Sequence, residues 1–215
     1  MNTMNYKINL FFFILFLLTI PLVGISVKKP DAASQLSQLL SSFNTYQATF
    51  RQTTFDSEKR VIQKSWGRIM LKRPRNFRWE TNIFTNQIII TNGKSLWIYN
   101  KDLSQAIQQP LERRKTITPV SFLSGSIKDL KPNFTIKSSL NNGTIMFELV
   151  PRIKKNLNFK WIQLKFTQKK LTELTLLNQL EERSIFRFKH IKINQPLADY
   201  LFQLKPSHDV DIIKQ

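Results

Sequence analysis

Two histidines, His190 and His208, are the only side chains in these 215 residues whose ordinary pKa lies near neutrality, and the chain has no cysteine. His208 is followed by Asp209, but there is no G-x-S-x-G elbow, no H-E-x-x-H and no glycine-rich phosphate loop. A secreted esterase would need a Ser–His–Asp set drawn from scattered residues that nothing brings together, so no catalytic residue is expected. Distant histidines without clustered acids predict no metal, and no cofactor is implied. The one conspicuous group is a cation in an apolar setting. In Ser65 to Trp79 (SWGRIMLKRPRNFRW), period two puts Gly67, Ile69, Leu71 and Arg73 on one strand face. Pro74, lacking an N–H for a ladder, breaks the strand, and Phe77 and Trp79 follow together on one face. Two aromatics and an arginine thus converge on one apolar surface.

The elements that must position this stretch follow from periodicity. Asp31 is a plausible N-cap for a helix over Ala32 to Phe43, where Leu36, Leu39, Leu40 and Phe43 form one apolar stripe. From Tyr46 the period becomes two, and Asp56 to Lys59 reads as the turn into a long strand starting near Val61. Asn86 to Thr91 and Lys94 to Asn100 read as a hairpin joined by Asn92-Gly93, a type I′ signal. Thr118-Pro119 opens a short apolar helix, Val120 to Leu123, with Phe122 and Leu123 on its apolar face. Strands over Phe134 to Lys137, Thr144 to Val150, Phe159 to Thr167, Leu171 to Asn178 and Arg183 to Ile193 complete the pattern, with a last helical turn at Pro196 to Tyr200. Regularly spaced strands and short turns predict an antiparallel sheet curled into a barrel or open half-barrel.

Alternation predicts which side chains share the inner face. The first strands contribute Tyr46, Ala48, Phe50, Ile69, Leu71, Phe77 and Trp79. Ile88 and Ile90 are assigned to the same face, with Leu96 and Ile98 from the partner strand. The later strands add Ile162, Leu164, Phe166, Phe186 and Phe188. A sheet of this many strands encloses more room than a few short helices fill, and an apolar, partly empty barrel suits acyl chains.

The N-terminus and the charge bound the compartment. After Lys7 an apolar run from Ile8 to Ile20, then Pro21 and the small residues Gly24 and Ser26, has the order of a cleaved secretory signal peptide. Residues 1–26 are therefore expected to be a leader and residues 27–215 one domain. With no cysteine there is no disulfide and no lipid-modified N-terminal cysteine. The net charge of +19 favours anionic partners, and the basic surface that includes Arg113, Arg114, Lys115 and Arg152 to Lys155 predicts contact with anionic membranes. A basic nucleic-acid-binding barrel is the competing reading of that charge; the leader and the inward aromatics argue against it, so no nucleic acid is expected.

At these residues the chain resembles the periplasmic lipoprotein carrier family of Gram-negative bacteria, LolA. The resemblance runs through Asp31-Ala32-Ala33-Ser34 with the first helix, Gln47 to Gln52 (QATFRQ), Gly67 to Trp79 with Lys72-Arg73-Pro74 and Phe77-x-Trp79, and Asn92 to Asn100. Thr118-Pro119-x-x-Phe122-Leu123 falls where the family has its lid helix, and Phe202-x-Leu204-x-Pro206 with Val210 to Ile213 matches its C-terminal pattern. The resemblance implies a mainly β fold with a few helices: an open, half-closed antiparallel barrel with a helical lid over an apolar cavity. It implies a monomeric, non-enzymatic periplasmic carrier that takes triacylated lipoproteins from an inner-membrane ABC-type complex to an outer-membrane acceptor lipoprotein. It also implies that Arg73 hydrogen-bonds to the lid backbone and latches the empty carrier closed, with Phe77 and Trp79 lining the cavity. Carriage of other lipids is the neighbouring alternative.

Overall fold

The computed structural model describes residues 30–82, 86–111, 123, 130–153, 158–205 and 209–214. The leader, Arg113 to Lys115, Pro119 to Phe122, Lys154, Lys155 and His208 lie outside the described residues.

Helix α1 (Ala32–Ser41) begins where expected, because Asp31 Oδ1 accepts the Ser34 N–H at 2.7 Å. Leu36 and Leu40, one turn apart, are buried beneath it, and Phe43 is buried just beyond its end. The chain then forms β1 (Thr45–Phe55), β2 (Val61–Lys72), β3 (Asn76–Asn82), β4 (Gln87–Asn92), β5 (Ser95–Asn100) and β6 (Gln105–Pro110). Leu123 is buried, and the short helix α2 (Leu130–Asn133) precedes the next strand, with its Leu130 also buried. Strands β7 (Phe134–Asn141), β8 (Thr144–Pro151), β9 (Phe159–Thr167), β10 (Lys170–Asn178) and β11 (Arg183–Ile193) follow. A 3₁₀ turn (Asp199–Phe202) and β12 (Asp211–Lys214) end the chain.

All twelve strands belong to one open sheet in the order β12-β6-β5-β4-β3-β2-β1-β11-β10-β9-β8-β7. Two antiparallel meanders meet where β11 returns to pair with β1. The exception is β12, which runs parallel to β6. It lies in what the sequence pattern leaves as a tail. The Asn92-Gly93 connection is a hairpin but not a type I′ turn: only Gly93 has positive φ, and Asn92 Oδ1 instead accepts the N–H groups of Lys94 and Ser95, each at 3.0 Å. Tight two-residue turns with both φ positive occur at Asn142-Gly143 and at Gln168-Lys169.

One face of the sheet packs around α1 and carries the main core, which runs from Phe77 on β3 through Phe50, Phe188 and Leu174 to Phe147 and Phe134. Here the inner-face assignment of Ile88 and Ile90 is corrected. Trp79 on β3 lies opposite Ile89, whereas Arg78 and Glu80 lie opposite Ile90 and Ile88. Ile89 therefore faces the main core, and Ile88 and Ile90 are buried on the reverse face against Leu197 and Phe202. The physical reason is that residues 195–205 fold over that reverse face. Lys72 Nζ donates to Leu197 O (3.0 Å) and Asp199 Oδ1 (2.6 Å), and Arg78 Nη1 donates to Leu201 O at 2.9 Å, which fixes the segment in place.

Candidate functional site

Strands β1 to β3 and β11 bring together most of the residues assigned to the inner face. Phe50 lies beside Trp79 with ring centroids 4.3 Å apart, and Phe186 meets Trp79 edge-on at 5.2 Å and Phe50 at 5.9 Å. Phe77 stacks with Trp79 at 6.2 Å. The Trp79 indole N–H finds its acceptor in Thr81 Oγ1 at 3.0 Å, so an apolar surface carries no orphaned donor there. Ile69, Leu71, Phe188, Leu123, Leu164 and Phe166 are buried in the same core, with Phe147 meeting Phe166 edge-on at 5.8 Å. Leu96, which is buried, and Ile98 share this face by register, opposite Thr91 and Ile89. Phe122 lies outside the described residues. Alternation also passed over Leu36, Leu40 and Phe43 as parts of this surface, although the helix stripe that contains them was legible.

One polar tie crosses this interior: the Tyr46 hydroxyl on β1 donates to Leu171 O on β10 at 2.8 Å, and burial pushes the Tyr46 phenol well above its ordinary range. The close approach of β2 to its neighbours depends on Gly67. A Cβ at Gly67 would lie 1.8 Å from Glu80 O and 2.7 Å from Phe50 Cζ, so no larger residue fits that backbone.

Arg73 sits in the turn between β2 and β3, half-buried rather than in solvent. Its Nη2 donates to Leu40 O at 3.0 Å, its Nε to Phe43 O at 3.3 Å, and its guanidinium lies 5.5 Å from the centre of the Phe43 ring. The Arg73 N–H adds a bond to Asn44 O at 2.8 Å. Desolvation lowers the Arg73 pKa from its ordinary value, a cost offset by two carbonyl acceptors at the negative end of a helix. Among the described residues these side-chain bonds go to Leu40 O on α1 and to Phe43 O just beyond its end, and Pro119 to Phe122, to which a latch from Arg73 is expected, lie outside the described residues. The last carbonyls of a helix have no partner within it, and the fork of guanidinium N–H donors supplies one here.

At the other end of α1, Asp31 Oδ2 meets Lys131 Nζ on α2 at 3.1 Å. The Ser34 backbone N–H, then the Lys131 ammonium, lower the Asp31 carboxyl from 3.8 to about 2. On the reverse face Glu80 receives Arg68 and Arg78; burial raises its carboxyl, but hydrogen bonds from the two guanidiniums and their charges outweigh it and hold it below the ordinary range. Among the described residues no three His, Asp or Glu side chains converge to hold a metal ion. No helix among them is long and apolar enough to cross a membrane.

The sequence model of the outer membrane lipoprotein carrier protein LolA family matches residues 41–205. The chain belongs to that family. An outer-membrane lipoprotein carrier protein of Coxiella burnetii (strain CbuK_Q154) is 56% identical to this LolA-family chain over 215 residues, all of both chains. One of Pseudomonas paraeruginosa is 32% identical over 196 residues, covering 90% of this chain and 94% of its own. Among solved structures, an uncharacterized conserved protein from Thermus thermophilus has the same fold, with a TM-score of 0.56 at 13% identity over 86% of this chain and all of its own.

Proposed function

We propose that this LolA-family protein is a non-enzymatic carrier that binds the acyl chains of lipoproteins and takes them across the periplasm to an outer-membrane acceptor. The observation that carries the reading is full-length kinship to outer-membrane lipoprotein carrier proteins, in a chain whose aromatic inner face lies under a helix held by Arg73. Residues 1–26 are its export leader, and the domain that follows acts as a monomer without cofactor. Triacylated lipoproteins are the cargo, received from an inner-membrane ABC-type complex.

Apolar transfer sets the demands on such a cycle. At about 0.8 kcal/mol per buried CH₂, a 16-carbon chain leaving a bilayer forfeits roughly 12 kcal/mol unless another apolar site takes it. Phe50, Ile69, Leu71, Phe77, Trp79 and Phe186 offer that site once α1 yields, with Leu164, Phe166 and Phe188 deeper in. Loading therefore needs an energised donor, while delivery needs only a better apolar acceptor. The Arg73 bonds to Leu40 O and Phe43 O stabilise the empty form and compete with cargo. Purification of the protein from its native periplasm, followed by mass spectrometry of what it carries, tests the reading. Triacylated lipoproteins are the expected species. Phospholipid without lipoprotein would replace this cargo with free lipid, and the absence of any lipid would overturn the carrier reading.

A further inference from the structure

The reverse of the aromatic face carries a groove of about 1060 Å³ across β11, β1 and β2. Arg51, Lys64, Arg68, Arg187 and Lys189 line it around Trp66, and no carboxylate is among the lining residues. The register sets these groups side by side: Arg51 lies opposite both Arg187 and Trp66, and Thr49 lies opposite both Lys189 and Arg68. Like charges on neighbouring strands weaken a sheet, so this pattern does nothing for the fold. Arg68 is paired with Glu80 and Arg187 with Glu173, while no ion pair among the described residues engages Arg51, Lys64 or Lys189.

Apolar groups are interleaved with these cations. Trp66 is 50% exposed, and Ile62 and Val61 at the start of β2 are 51% and 48% exposed. Along β2 the outward positions thus read Ile62, Lys64, Trp66, Arg68, alternately apolar and cationic. Phosphate-level cations beside an aromatic ring and short apolar side chains are what a headgroup layer binds. An acidic polypeptide would neutralise the cations but leave the apolar end of the hairpin in water.

We propose that the outer face of β11, β1 and β2 docks on an anionic phospholipid bilayer, with Arg51, Lys64 and Lys189 at the phosphates and Trp66 and Ile62 at the headgroup boundary. This places α1 and the aromatic face on the far side from the lipid surface, free to act while the protein is docked. The inference stands independently of which cargo the inner face takes.

Co-sedimentation of the purified protein with vesicles tests it, using phosphatidylcholine alone and phosphatidylcholine mixed with phosphatidylglycerol. Binding is expected only to the mixed vesicles, and high salt should release it. Lys64→Gln with Lys189→Gln should weaken binding by about fivefold per cation removed, whereas Lys101→Gln with Lys137→Gln, exposed and on elements that do not line the groove, should cost much less. Trp66→Ser should both weaken binding and remove part of the tryptophan quenching by brominated lipid. All these side chains are solvent-exposed, so each variant should fold, which circular dichroism checks. Equal losses in the two lysine pairs would assign binding to net charge and overturn the proposal. So would binding to polyglutamate without binding to anionic vesicles.

Discussion

Arg73 links two parts of the molecule that are apart in sequence: the β2–β3 turn that carries it and the end of α1, through the carbonyls of Leu40 and Phe43 and the Phe43 ring. Arg73→Leu removes the donors but keeps the apolar stem, so the sheet should fold as before while the end of α1 loosens. The carbonyls can turn to water, which limits the stability loss to about 1–3 kcal/mol. In transfer assays the variant should take up cargo and release it slowly, because the empty form has lost its stabilising bonds. Transfer to an acceptor at the wild-type rate would make Arg73 a simple helix cap. Gly67 makes a different demand. In Gly67→Ala the new Cβ meets the Glu80 carbonyl, which belongs to a paired strand and cannot swing aside like a side chain. Overpacking of this kind costs about 1–3 kcal/mol or more, read as a lower urea midpoint; an unchanged midpoint would mean that β2 and β3 part freely. The apolar setting of Arg73 was legible from period two, but its bonds to Leu40 O and Phe43 O were not, because the turn at residues 73–75 brings the side chain to a segment some thirty positions earlier. Nor does the sequence around Gly67 reveal that a neighbouring strand comes so near.

Among the elements, α1 is held by polar contacts at both ends and by leucines between them, and its cap gives it a pH signature. The Asp31 carboxyl is depressed from 3.8 to about 2 by Ser34 and Lys131. A carboxyl depressed on folding contributes stability that is full above its ordinary value and is lost as pH falls through the folded one. Denaturant midpoints of the wild type and Asp31→Asn should therefore differ by a constant amount above about pH 4 and converge as pH approaches about 2. Asparagine still caps, so the comparison isolates the charge; a difference that persists in acid would show that shape rather than charge holds Asp31. The strands show how far pattern reading reaches. β9 and β11 have the limits that alternation gives them, although an irregularity at His190 shifts the core-facing phase of β11 from Phe186 and Phe188 to Ile191 and Ile193. Ile88-Ile89-Ile90 has no such phase, because the reverse face of β4 is also covered, by Leu197 and Phe202. β12 is four exposed residues paired in parallel with a strand about a hundred positions earlier, which no local period can announce.

Across the whole molecule the sheet is the frame and α1 is a cover tied down at its two ends. Strand pairing runs without interruption from β12 to β7, and the two meanders are joined by the long β1–β11 ladder. By contrast α1 is fixed to its surroundings by Arg73 at one end and by the Asp31–Lys131 pair at the other. Beneath it Leu36, Leu40 and Phe43 are at most 2% exposed, so among the described residues the core under α1 is occupied by this protein's own side chains. Protein interiors are packed at crystal-like density and do not admit an extra acyl chain without displacing something. Movement of α1 away from the sheet would open the core that its leucines share with the aromatic face. A tether across the opening should therefore block uptake, and the absence of native cysteine makes the experiment clean. In the double variant Asp31→Cys/Lys131→Cys, a short cleavable bismaleimide would join the start of α1 to α2. Acyl-chain uptake, followed with a fluorescent lipid, should fall when the link is made and return when it is cut. Uptake unchanged by the tether would mean that lipid reaches the aromatic face by a route that leaves α1 and α2 together.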